Sequence, residues 1–185
     1  MSSPMRKYSL LLGVCIVCGF AASQESAPTP IAEVGLNYSY VHLGSAQSAT
    51  SSQNGGSGYL EYNLNRVVGL VADFGGYANA SALAGGNTAT FTYLFGPRFN
   101  WRKSRVVPYT QFLFGGADTG LNGPLASTTR NGFATAAGGG IDIAVTKRIA
   151  VKPIQLEYIT ARPSSDSFQN NLRYSAGVVF RFGEK

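Results

Sequence analysis

The stretch from Leu172 to Phe182, LRYSAGVVFRF, most constrains what this chain can become. Leu172, Tyr174, Ala176, Val178, Phe180 and Phe182 share one parity. Asn171, Arg173, Ser175, Gly177 and Arg181 share the other, with Val179 as the single apolar intruder. Side chains on a strand point alternately to opposite faces, so this segment predicts a strand with one greasy and one charged face. Aromatic residues bound the greasy face, as they do where a strand meets lipid on its outside.

The same alternation recurs upstream. Seven further strands are predicted at about 31–41, 57–64, 67–78, 88–100, 106–116, 132–145 and 149–161. Their outward parity carries the aromatic residues Tyr38, Tyr40, Tyr62, Phe74, Phe91, Tyr93, Phe95, Phe99, Phe112, Phe114 and Tyr158, joined by Tyr174, Phe180 and Phe182 of the last strand. These are the candidate lipid-facing aromatics. Lys152 interrupts the pattern in the seventh strand, because it shares parity with Ile154, Leu156 and Tyr158. A bulge at Pro153 and an interfacial lysine both account for that.

The connections alternate in length. Asn65-Arg66, Trp101 to Arg105 and Thr146 to Arg148 are short. The intervening stretches, about 44–56, 79–87, 117–131 and 162–170, are longer, polar and without periodicity, and are expected to be loops. In an up-and-down chain every short connection falls at one end, the asymmetry of membrane-spanning barrels. Such a barrel must close, because an open edge in lipid leaves backbone groups unsatisfied. The fold expected is all-β: an eight-stranded antiparallel up-and-down transmembrane β-barrel.

Composition agrees. Charged residues are 13% of the 185 residues, against about a quarter in soluble domains, while aromatics reach 12% and there are 23 glycines. Residues 1–23 are expected to be a signal peptide, with Arg6 and Lys7 before the apolar run Ser9 to Phe20 and Ala21-Ala22-Ser23 at the cleavage point. Residues 24–30 form a short lead-in, and 31–185 the barrel domain. Cys15 and Cys18 both lie inside the expected signal, so their spacing carries no redox or zinc chemistry. Losing Arg6 and Lys7 takes the bases from 15 to 13 against 9 acids, so net charge falls from +6 to +4. That surplus is modest, and no nucleic-acid partner is expected.

With the aromatic parity outward, the lumen collects Glu33, Glu61, Asp73, Arg98, Asp142, Glu157, Arg173 and Arg181. These five acids and three bases should pair across a space just wide enough for side chains. Tyr59, Tyr77, Tyr109, Asn37, Asn63, Gln111 and Asn171 are the expected hydrogen-bond partners. Gly69, Gly75, Gly96, Gly115, Gly138, Gly140 and Gly177 leave room for them. The network serves as a structural plug or, alternatively, lines a narrow path. No metal-ligand spacing and no phosphate loop is present, and no cofactor and no catalytic residue is expected. His42, the one histidine, lies beside Ser45 at the outer end of the first strand, and an interfacial position next to Tyr40 accounts for it. The bases of the short connections (Arg66; Arg102, Lys103, Arg105; Lys147, Arg148) gather at one end, where they could meet anionic headgroups or simply be solvated.

The segments LFGPRFNW (Leu94 to Trp101), PYTQFLFGGA (Pro108 to Ala117), GGGIDIAVTKRIAVKPIQLEYITAR (Gly138 to Arg162) and NNLRYSAGVVFRFG (Asn170 to Gly183) resemble the OmpA/OmpX-like small outer-membrane β-barrel proteins of Gram-negative bacteria. The resemblance implies an exported integral outer-membrane protein and no catalytic residues. Its implied partners are outer-membrane lipids and, during biogenesis, the barrel-assembly machinery. One departure stands out: the family's closing strand usually ends on an aromatic, whereas Gly183-Glu184-Lys185 follow Phe182 here. No peptidoglycan-binding domain is expected to follow. A monomer with a structural or surface-interaction role is expected, its external partner unnamed by any motif. A low-conductance pore, a lipid-modifying enzyme at the rim, and a secreted barrel with its apolar face inward are the rivals.

Overall fold

The computed structural model describes residues 29–44, 51–79, 87–122, 127–163 and 169–184. The expected signal peptide, both cysteines and Ser45 lie outside the described residues. Eight strands form: β1 (Ala32–Gly44), β2 (Ser51–Asn63), β3 (Val68–Asn79), β4 (Asn87–Asn100), β5 (Val106–Asn122), β6 (Ser127–Ala144), β7 (Ile149–Pro163) and β8 (Gln169–Phe182). Each pairs antiparallel with its neighbours, and β8 returns to β1, closing the barrel in sequence order. The closing register sets Val34 opposite Phe180 and Glu33 opposite Arg181, so greasy and charged faces stay continuous across the seam.

Polar side chains inside the turns cap the three short connections. Asn65 Oδ1 accepts from the amides of Val67 (2.8 Å) and Val68 (2.7 Å). Thr146 Oγ1 does the same for Arg148 (3.2 Å) and Ile149 (3.0 Å), and Ser104 Oγ for Val106 (3.2 Å). Asn, Ser and Thr side chains thus replace the backbone partners that a tight reversal leaves unmade.

Three strand limits run well beyond the sequence expectation. The stretch 44–56 was expected to be loop, yet β2 begins at Ser51; 117–131 was likewise expected to be loop, yet β5 and β6 stay paired out to Asn122 and Ser127. Ladder hydrogen bonds are made by the backbone, so polar, glycine-rich segments can extend a strand without apolar alternation. The alternation reports only the part that has two different surroundings.

β7 carries an irregularity. Its register against β8 shifts between Lys152 and Gln155, and against β6 opposite Asp142. Ala150, Lys152 and Gln155 point inward, while Val151, Pro153 and Ile154 are exposed. This is a β-bulge at Pro153, a residue with no amide proton to give the ladder. It returns Lys152 to the interior and resolves the parity conflict in the sequence.

The exposed face is apolar. Every one of Tyr38, Tyr40, Tyr62, Phe74, Phe91, Tyr93, Phe95, Phe99, Phe112, Phe114, Tyr158, Tyr174, Phe180 and Phe182 is at least about a third exposed. The buried face is polar, so the rival barrel with its apolar side inward is not what the chain forms. His42 is exposed at the outer end of β1.

Candidate functional site: the barrel lumen

Inward parity delivers ten ionisable side chains to the lumen. Glu33, Glu61, Asp73, Asp142 and Glu157 meet Arg98, Arg102, Lys152, Arg173 and Arg181, all 5% exposed or less. Among the described residues the formal charge inside therefore sums to zero. Sequence parity alone supplies five acids and only three bases. The two further bases are Arg102 and Lys152, and each has a local cause. Arg102 follows β4, yet it keeps the parity of Arg98 and Asn100: Trp101 and Lys103 are exposed while Arg102 is buried. Bonds from the Asn100 amide to Val67 O (2.7 Å) and from the Trp101 amide to Pro108 O (2.9 Å) hold that stretch extended. Inclusion in a turn hid Arg102 among the basic turn residues. Continuing the strand's parity two residues further would have found it.

The pairs join into one chain of contacts that rises from the short-turn end. Arg181 Nε lies 3.7 Å from Glu33 Oε2. Arg102 Nη2 donates to Glu33 Oε1 (2.5 Å) and to Asn63 Oδ1 (3.1 Å), and stands 3.9 Å from Glu61 Oε1. Glu61 also accepts from Asn100 Nδ2 (2.7 Å) and from Arg98 Nη1 (2.8 Å). Arg98 Nε then donates to Gln111 Oε1 (2.8 Å), and Gln111 Nε2 donates to Glu157 Oε1 (2.6 Å). Glu157 Oε2 accepts from Arg173 Nε (2.6 Å) and from Gln155 Nε2 (2.6 Å). Arg173 Nη1 completes the run by donating to Asp73 Oδ1 (3.0 Å) and Tyr77 Oη (2.5 Å). Gln111 is a neutral joint that reads a base on one side and an acid on the other, so its amide orientation is fixed.

Two tyrosines brace the middle. Arg98 sits over the rings of Tyr59 (4.4 Å to the centroid) and Tyr109 (4.3 Å), and Lys152 Nζ approaches the same rings at 4.1 and 4.9 Å. Such contacts strengthen when water is excluded. Lys152 also donates to Gln155 Oε1 (3.0 Å) and lies 3.9 Å from Asp142 Oδ1, while Tyr109 Oη donates to Gln155 Oε1 (2.7 Å). Tyr59 contributes its ring and not its hydroxyl, which has no partner among the described residues. Asn37 Nδ2 donates to Ser57 Oγ (3.3 Å), and the carboxamide oxygen of Asn171 has no partner among the described residues. Asn37 lies two residues from Ser39, whose hydroxyl is 2.8 Å from that of Ser175, and Asn171 lies two residues beyond the buried Arg173 on β8.

Glycines make the bulk fit. Tyr59 lies flat over Gly35, where a Cβ would occupy the ring's position, and a Cβ at Gly69 would collide with the Glu61 carboxylate. Both are close approaches that no larger residue permits. Among the described residues there is no grouping of His, Cys, Asp or Glu suited to a metal ion.

Comparison with known proteins supports the architecture. Neisserial surface protein A superposes with a TM-score of 0.72 at 14% identity, over 82% of this chain and 97% of that one. Ail, the attachment invasion locus protein of Yersinia pestis, gives 0.61 at 16% identity, covering 82% and 97%. The outer membrane protein OprG of Pseudomonas aeruginosa gives 0.52 at 11%, covering 87% and 100%. At these identities the likeness is one of fold. No curated protein matches the chain in sequence. The family of the outer membrane protein beta-barrel domain, by contrast, matches residues 9–182. The closed β-barrel of this chain agrees with that match, and the chain belongs to the outer membrane protein beta-barrel domain family.

Proposed function

We propose that this outer-membrane barrel is a non-conducting structural and surface-interaction protein, exported on a cleaved signal and working through its outer rim. The observation that carries this reading is the charge balance of the lumen. Five acids and five bases, nearly all joined in one network, fill an interior that in an eight-stranded barrel has little width to spare. A solute or ion crossing it would have to part Arg98 from Glu61 and Arg173 from Glu157, leaving charges unpaired in a narrow, buried space. The rim is the other candidate. There β5 and β6 run for 17 and 18 residues and pair to their tips, against 13 and 12 for β2 and β3. A contact surface at the cell exterior is also what the name of the attachment invasion locus protein suggests for a barrel of this shape.

A narrow pore is the second reading. Partnerless buried atoms, the Tyr59 hydroxyl and Asn37 Oδ1 among them, favour it because water could serve them. A liposome-swelling assay with amino acids and small sugars separates the two. Swelling no faster than in protein-free liposomes is expected, and solute-dependent swelling would establish the pore.

A further inference from the structure

The outer face is not uniformly bulky. On β3 the small side chain of Ala72 stands between Leu60 of β2 and Phe95 of β4, its register partners on either side. A groove of about 560 Å³ opens over it, walled by Leu70, Pro97 and Phe114 as well. Its near end, at Tyr62 and Leu70, is two residues from the β2–β3 turn.

The connections at that end of the same strands carry Arg66, between β2 and β3, and Lys103 and Arg105, between β4 and β5, all exposed. No acid occurs in any of the three short connections. The exposed acid at this end, Glu184, follows β8, which lies across the barrel from β4. Trp101, 46% exposed beside Lys103, marks the level at which apolar band gives way to headgroups.

We propose that the β2–β5 face holds one anionic phospholipid of the inner leaflet, an acyl chain lying in the groove over Ala72 and the phosphate drawn to Arg66, Lys103 and Arg105. The short turns of such barrels face the periplasm, which places this face in the inner leaflet. The two halves of the site match the two halves of one molecule: an apolar slot rising from a basic edge. A second copy of the chain is a poor occupant, because a two-fold contact through this face would bring both sets of bases together. A free phosphate would leave the groove unused.

Trp101 is the only tryptophan and lies beside the bases, so its fluorescence reports the neighbouring lipid directly. The full chain is refolded into phosphatidylcholine vesicles containing either phosphatidylglycerol or phosphatidylcholine brominated on the acyl chains. Quenching should show a preference for the brominated phosphatidylglycerol of about fivefold or more, the scale of one well-placed base. The preference should vanish at about 1 M salt, where screening acts within about 3 Å. It should fall towards unity in the Arg66→Gln, Lys103→Gln, Arg105→Gln variant, and at least halve in Ala72→Phe, which fills the groove from outside the barrel. Equal quenching by both lipids in the unchanged protein would overturn the proposal. So would a preference that survives Ala72→Phe, since that would reduce the site to diffuse attraction by the turns.

Discussion

Arg98 joins four partners in the middle of the network. It bonds Glu61 and Gln111 and stacks on two tyrosine rings. Truncating it strands a buried carboxylate, a loss that in comparable settings costs about 3–5 kcal/mol. Arg98→Ala should lower the barrel's stability by about that much in urea unfolding from lipid vesicles. Arg98→Lys should recover only part, because a point charge cannot reach Glu61 and Gln111 together as the planar fork does. An unchanged midpoint in Arg98→Ala would mean that the pairing adds nothing. The outer face makes the converse case. Phe95 is the middle member of the exposed series Phe91 to Phe99 on β4. Phe95→Arg should cost about 2–4 kcal/mol if that series lies in lipid, and close to nothing if it lies in water.

Among the elements, β7 is the one whose geometry depends on a single inserted residue. The bulge at Pro153 lets Lys152 and Gln155 both face inward although they are three apart in sequence. Deleting Pro153 would restore strict alternation and leave Lys152 and Gln155, then two apart, both facing inward. The deletion variant should therefore keep the difference in gel migration between unheated and boiled samples that marks a folded barrel; loss of that difference would show that the bulge does more than set parity. β7 also shows what a sequence can and cannot reveal. Alternation in β1, β4 and β8 is read directly, since one face meets lipid and the other a polar lumen. The same rule misplaces Lys152, because a bulge changes parity without changing composition. It overlooks Arg102, because its parity runs on past the last ladder pair. Beyond the apolar band the rule has nothing to act on: the Ser-, Gly- and Thr-rich ends of β2, β5 and β6 carry no apolar alternation in the sequence, and only backbone pairing declares them strands.

The whole molecule combines an apolar outside with a neutral, interlocked inside. Eight strands fix the width, glycines such as Gly35 and Gly69 admit the large side chains, and the ten ionisable groups cancel. Neutrality matters for both stability and function. With only the eight charges read from strand parity, the lumen would carry a net −2 and would attract cations; Arg102 and Lys152 remove that attraction. The central claim is that this balance keeps the lumen closed, and single-channel recording tests it most directly. Refolded protein in a planar bilayer should give no conductance steps. A variant lacking both partners of the middle pair, Glu61→Ala with Arg98→Ala, should give small, reproducible ones if it folds. Steps from the unchanged protein, altered in size or ion preference by Asp73→Asn, would contradict the account and make the lumen a path.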